Sequence, residues 1–154
     1  MLNRELIKTK IYFITRDLER MKSFGVETFD EVAKDAMKYA AVQNLLMKII
    51  GRAIDINEHI ISKTVGLEKG FQLKYRETFL ELGGLGVLPK KFAQEISKSA
   101  GFRNALVHDY DNLEDYIVYK SIGDAISQYT KYCDYILRYL QKKIISIKKP
   151  NAAR

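Results

Sequence analysis

Apolar residues recur along this chain at intervals of three and four, the spacing that gathers them on one side of an α-helix. From Leu2 to Phe24 the series is Ile7, Ile11, Ile14, Leu18 and Met21, with Glu5, Lys8, Arg16 and Glu19 on the other side and Gly25 as a C-terminal stop. Thr28, with Glu31 three residues on, has the form of a capping box. A second helical pattern runs from there to Thr64 without a proline, with Gly51 as its internal glycine. Ala36, Tyr39, Val42, Leu46, Ile49, Ala53, Ile56 and Ile60 make one stripe, and Leu45, Ile50, Ile54 and Ile61 widen it past a single face. Helices apolar on more than one side are buried on more than one side, so this one belongs at the centre of the fold. At 1.5 Å per residue it would span roughly 50 Å, more than one small core needs. A dimer interface is a natural use for the excess.

After Gly66 and Gly70 the pattern predicts a shorter third helix, about Lys74 to Leu82. The cluster Gly83-Gly84-Leu85-Gly86 has no strand before it and no Gly-Lys-Ser/Thr after it, so it reads as a connection between helices and not a phosphate loop. Pro89 then stands in the first turn of a fourth helix reaching about His108. Asp109, Asp111 and Asn112 break that helix, and Asn112 with Asp115 suggests the N-cap of the last one. The last helix has apolar positions at Ile122, Ile126, Tyr129, Cys133, Ile136, Leu140 and Ile144. Beside them run Tyr132, Tyr135 and Tyr139, which suit either stacking on RNA bases or, more commonly, capping a core or subunit contact with their hydroxyls in water. No strand-like alternation, repeat or low-complexity stretch occurs. The predicted fold class is all-α, an antiparallel bundle of about five helices.

Composition narrows the classes. At 154 residues the chain is one domain with a real core, and 47% hydrophobic with 29% charged residues excludes wholesale disorder. A single cysteine, Cys133, cannot form an internal disulfide, and its place in an apolar stripe predicts a buried, inert thiol. The N-terminal residues lack the apolar core of a signal peptide and no run is long enough for a membrane span, so the expected localisation is cytoplasmic with no membrane partner. The net charge is +7, of which Lys142, Lys143, Lys148, Lys149 and Arg154 contribute +5 without an acid among the last thirteen residues. Such a tail is a footprint for a polyanion, although solvated terminal lysines also serve solubility.

Candidate chemistry concentrates in Gly101 to Tyr110, which reads Gly-Phe-Arg-Asn-Ala-Leu-Val-His-Asp-Tyr. On a helix anchored by Ala105, Leu106 and Val107, Asn104 and His108 share a face and Arg103 sits on its flank. Histidine titrates near neutrality and can take and give a proton. Arginine offers forked donors to a phosphate, and Asn104 adds neutral hydrogen bonds. The helix end and the adjacent Asp109 both favour protonated His108. That set suits RNA cleavage without a metal, in which the ribose 2′-hydroxyl attacks, His108 moves protons and Arg103 stabilises the phosphorane. The other reading is structural: Arg103 pairs with Asp109 and His108 caps a helix end. The residues alone leave both open. Metal chemistry has little support, because there are two histidines and no Cys-x-x-Cys or His-Glu-x-x-His. Asp55 and His59 share a face of the second helix but are two donors only. If that helix packs against the motif, Asp55 or Asn57 can instead orient Arg103 or His108.

The series Arg103-Asn104-x3-His108-x-Tyr110, late in a short helical chain, resembles the HEPN superfamily and most closely its HepT-type toxins. The resemblance covers nearly the whole chain and implies a HEPN-like domain over residues 1–147 with a basic tail at 148–154. It further implies a homodimer whose two motifs face each other across a cleft, and a metal-independent endoribonuclease needing no cofactor. Arg103 and His108 would be catalytic, with Asn104 assisting and RNA as substrate. It also implies a partner, a small MntA-like nucleotidyltransferase antitoxin that silences the toxin by transferring AMP from ATP to Tyr110. The competing expectation is a helical interaction module that binds the nucleotidyltransferase or a nucleotide without cleaving RNA.

Overall fold

The computed structural model describes residues 1–25, 27–66, 72–108 and 118–148, the side chains of 107, 108 and 146–148 excepted. Among the described residues there are six helices and no strand: α1 (Arg4–Lys22), α2 (Phe29–Ala33), α3 (Ala36–Thr64), α4 (Tyr75–Gly84), α5 (Lys90–His108) and α6 (Ile122–Lys148). None is long and apolar enough to cross a membrane.

The helix expected to run unbroken from Thr28 to Thr64 is two helices. The capping box at Thr28 and Glu31 forms, with both hydrogen bonds present. Asp35 then leaves the helical conformation (φ −109°, ψ 105°), and its carboxylate accepts from the amides of Met37 and Lys38, 3.1 Å each. A side chain that satisfies two first-turn amides starts a new helix, so the chain turns at Lys34–Asp35. The last helix also differs at its start. Its N-cap is Ser121, whose hydroxyl accepts from Asp124 N (3.1 Å) while the Asp124 carboxylate accepts from Ser121 N (3.2 Å). Asn112 and Asp115, expected there, lie outside the described residues.

α3 is central, as its broad apolar surface predicts. It packs against α1, α2, α4 and α5, and α1 also packs against α6. Its inward residues Val42, Leu46, Ile49, Ile50, Ala53, Ile56, Ile60 and Ile61 are at most 1% exposed. They meet Ile7, Ile14 and Met21 of α1, Phe79 of α4, Phe102 of α5, and Tyr129 and Tyr132 of α6 in one core. Each buried Ile or Phe contributes about 1.5–3 kcal/mol. The aromatic members meet edge-on, Phe102 with Phe29 (5.7 Å) and Tyr119 (6.0 Å), and Phe79 with Tyr132 (6.0 Å).

α4 and α5 form a close hairpin. Gly83 is buried against α5, where an added Cβ would lie 2.8 Å from the Ala93 Cβ, and the turn closes through Gly86 at φ +76°. The glycine cluster therefore straddles the end of α4, Gly83 and Gly84 closing the helix and Gly86 turning the connection that its sequence context suggests. Fully buried Asp17 joins α1 to α3 by an ion pair with Arg52. Arg16 (3.4 Å) and Arg20 (3.2 Å) also pair with it.

Candidate functional site

Phe102, Ala105 and Leu106 are 2%, 4% and 8% exposed. Because α5 turns ~100° per residue, anchoring these three inward sends Arg103 and Asn104 outward. Asn104 is exposed and Arg103 half-buried. His108 is the last residue of α5. Its side chain, together with Asp109 and Tyr110, lies outside the described residues.

Arg103 rests on a ring. Its guanidinium carbon lies 5.5 Å from the centroid of Tyr75, the first residue of α4. Its Nε is shut off from solvent with no hydrogen-bond partner among the described residues. The Nε edge is thus turned to protein, and a guanidinium held on a ring suits a planar fork that grips an oxyanion with its remaining donors.

Tyr75 is held from below by a buried polar chain. The Tyr132 hydroxyl donates to Asn57 Oδ1 (2.6 Å), with the Ala53 carbonyl also in reach at 3.0 Å. Asn57 Nδ2 donates to Thr78 Oγ1 (3.2 Å), and the Thr78 hydroxyl donates to the Tyr75 carbonyl (2.7 Å). Asn57, Thr78 and Tyr132 are fully buried, so this chain ties α6, α3 and the first turn of α4 together. Asn57 is thus connected to Arg103 through Thr78 and Tyr75, with no direct bond between them described. Tyr132 departs from the expected pattern, since its hydroxyl is in the core and not in water. Burial, reinforced by Cys133 and Asp55, pushes its pKa well up, so it stays a neutral donor.

Asp55 lies on the exposed side of α3, paired with Lys10 of α1 at 3.0 Å. His59 Nε2 accepts the Asn3 backbone hydrogen (2.9 Å), and burial followed by the charges of Lys63 and the N-terminus lowers its pKa. It is a neutral acceptor that fastens the start of α1. No three His, Cys, Asp or Glu side chains among the described residues gather as a metal site. Cys133 is buried and its thiol is pushed up to about 12, mainly by burial and next by Asp134. Tyr75 was not foreseen as part of the site. No spacing rule links it to Arg103, and the hint is the Gly83–Gly86 hairpin that folds α4 back along α5.

Residues 14–136 match the family model described as Ribonuclease HepT-like. The chain belongs to the HepT-like family. It is similar to the tRNA nuclease HepT of Aphanizomenon flos-aquae, 36% identical over 135 residues that make up 88% of this chain and 90% of the relative. Its fold is similar to that of a tri-AMPylated HEPN toxin of Shewanella oneidensis, solved in complex with an MNT antitoxin. The TM-score there is 0.73 at 23% identity, over 90% of this chain and 99% of that one. YutE of Bacillus subtilis, a cytosolic protein of unknown function, is similar at a TM-score of 0.70 and 17% identity, over 92% and 93% of the two chains. These likenesses establish that the HepT-like chain has the helical HEPN fold.

Proposed function

We propose that this HepT-like chain is the toxin of a toxin–antitoxin pair and a ribonuclease acting on tRNA or a similar RNA. The observation that carries the proposal is Arg103, directed outward from α5 over the Tyr75 ring, five positions before His108 in a member of a family described as ribonucleases. Its 36%-identical relative is named a tRNA nuclease. In the proposed reaction, His108 removes the proton of a ribose 2′-hydroxyl, whose oxygen attacks the adjacent phosphorus. The bond to the 5′-oxygen breaks, a protonated imidazole supplies that leaving oxygen with a proton, and a 2′,3′-cyclic phosphate remains. Arg103 binds the phosphorane oxygens with forked donors, and exposed Asn104 adds hydrogen bonds. Two protomers present their motifs to one cleft, so the second histidine serves as the acid. No metal takes part in this scheme.

Silencing follows from charge. A nucleotidyltransferase antitoxin transfers AMP from ATP to the Tyr110 hydroxyl and releases pyrophosphate. Each AMP places a phosphate negative charge and a bulky nucleoside beside a site for RNA phosphate. Structures similar to this chain include the tri-AMPylated toxin and a toxin–antitoxin complex with AMP-PNP. Purified chain should cut tRNA in excess EDTA, with Arg103→Ala and His108→Ala inactive but folded. Full activity in either variant, or activity dependent on added metal, overturns the catalytic scheme. Co-expression with the antitoxin should add AMP mass that is lost in Tyr110→Phe. An unmodified wild-type chain overturns the silencing scheme alone.

A further inference from the structure

The tyrosines of α6 divide once the helix is packed. Tyr132 goes to the core, while Tyr135 and Tyr139 remain half-buried at the surface. Two grooves flank Tyr139. One, of about 430 Å³, lies between α6 and the α4–α5 turn, with Tyr135, Tyr139, Lys90, Arg138 and Lys142 in its lining. The other, of about 490 Å³, lies between α6, the chain start and the end of α3, with Tyr139, Arg4, Lys63 and Lys143 in its lining. The first groove contains no acidic residue in its lining, and the second has Glu5 alone. Cations already sit over the rings, Lys143 Nζ 5.6 Å from the Tyr139 centroid and Arg138 5.9 Å from that of Tyr135. Lys90 and Lys91 open α5 with no acid in its first turn, where the helix field favours negative charge. Six cations line the two grooves against Glu5, and Asp134, which shares the adjoining groove with Arg138 and Lys142, still leaves cations in excess.

We infer that the paired grooves around Tyr139 bind single-stranded RNA, a base stacking on Tyr139 while Lys90, Arg138 and Lys142 on one side and Lys63 and Lys143 on the other hold flanking phosphates. A cationic channel that tracks the backbone, with aromatic rings for the bases, is how single strands are bound without sequence readout. Lys143 and Arg138 are long, exposed side chains that can move from ring to phosphate as a base enters. The site is separate from Arg103. Lys90 precedes Arg103 by thirteen residues of α5, ~20 Å of helix, a length covered by about six stacked nucleotides. The inference rests on the ribonuclease reading and adds to it a substrate-holding surface remote from the scissile bond.

The test uses the full chain carrying His108→Ala, so that RNA stays intact, and a fluorescein-labelled single-stranded RNA followed by fluorescence anisotropy across a salt series. Arg138→Glu with Lys142→Glu should weaken binding at least tenfold and reduce the salt slope by about 1.4, two phosphate contacts at about 0.7 each. Tyr139→Leu should weaken it about 5- to 150-fold with the slope unchanged, and Tyr139→Phe should restore it. In the active chain the same changes should raise KM for RNA and leave kcat in place. RNA binding indifferent to all of these overturns the inference, as does a double variant that loses only antitoxin binding. A chain with His108 intact that cuts no RNA, paired with groove-dependent binding, would sink the ribonuclease reading and leave the groove standing. Normal cleavage by the groove variants would do the reverse.

Discussion

Replacing Tyr75 separates the charge of Arg103 from its placement. The guanidinium carbon is 5.5 Å from the ring centroid, within the ~6 Å over which a cation is drawn to an aromatic face. Tyr75 is 41% exposed, which puts the attraction at about 0.5–1 kcal/mol. If the ring only orients the fork, Tyr75→Leu gives up that much transition-state binding, and kcat/KM falls about two- to fivefold. Tyr75→Phe keeps the face and stays within about twofold of wild type. Arg103→Lys keeps the positive charge but loses the planar fork. Its loss should be about 10²- to 10³-fold, the size seen when one oxyanion donor is removed. The two sites form a cycle: adding Tyr75→Leu to Arg103→Lys should cost less than it does in wild type, because the stacked guanidinium is already gone. The assay is the initial rate of RNA cleavage, with a melting temperature for each variant to separate placement from unfolding. Equal damage from Tyr75→Phe and Tyr75→Leu would refute the argument, as would full additivity with Arg103→Lys.

Three further outcomes follow from the packing and the titrating groups. Gly83→Ala should destabilise the fold by about 1–3 kcal/mol, because its Cβ would meet Ala93 Cβ at 2.8 Å. Chemical denaturation measures this, and an unchanged midpoint would mean that α4 and α5 can part freely. His59 should titrate below its ordinary 6.5 in an NMR titration, since burial, Lys63 and the N-terminus all disfavour its protonated form. The unfolded chain then takes up a proton that the folded chain refuses, so the His59 contribution to stability is full above about pH 6.5 and is lost as pH falls through the lower folded value. A midpoint at or above 6.5 contradicts this. Cys133, buried with its thiol pushed up to about 12, should react with a thiol reagent at neutral pH only as fast as the protein unfolds, and rapid labelling of the native chain would refute that.

What could be read in advance and what could not divides along the reach of each interaction. The centrality of α3 was legible because apolar residues on more than one face demand several neighbours, and four helices meet it. That Ala105 and Leu106 anchor the helix of the motif was legible for the same local reason, and with Phe102 buried beside them they send Arg103 and Asn104 outward. Asp35 was not. In a linear pattern it is one more polar-face residue, and only a backbone that turns there reveals a cap for Met37 and Lys38. Tyr132, Tyr135 and Tyr139 have nearly the same claim to the surface by spacing. Tyr132 goes inward because Asn57 and the Ala53 carbonyl, 75 and 79 positions away, are placed to receive its hydroxyl. The same distinction applies within the site. Arg103 was readable as a candidate from its own neighbours, whereas Tyr75 reaches it only because Gly83 lets α4 lie against α5. A buried hydroxyl without an acceptor costs about 1–3 kcal/mol, so the partners of Tyr132 constrain α3 and α6 as strongly as an apolar contact would. The polar chain beneath Tyr75 therefore links the stability of the core to the placement of the guanidinium above it. Asn57→Leu should test that link by lowering the melting temperature and kcat/KM together, while leaving the salt dependence of RNA binding at the Tyr139 grooves unchanged.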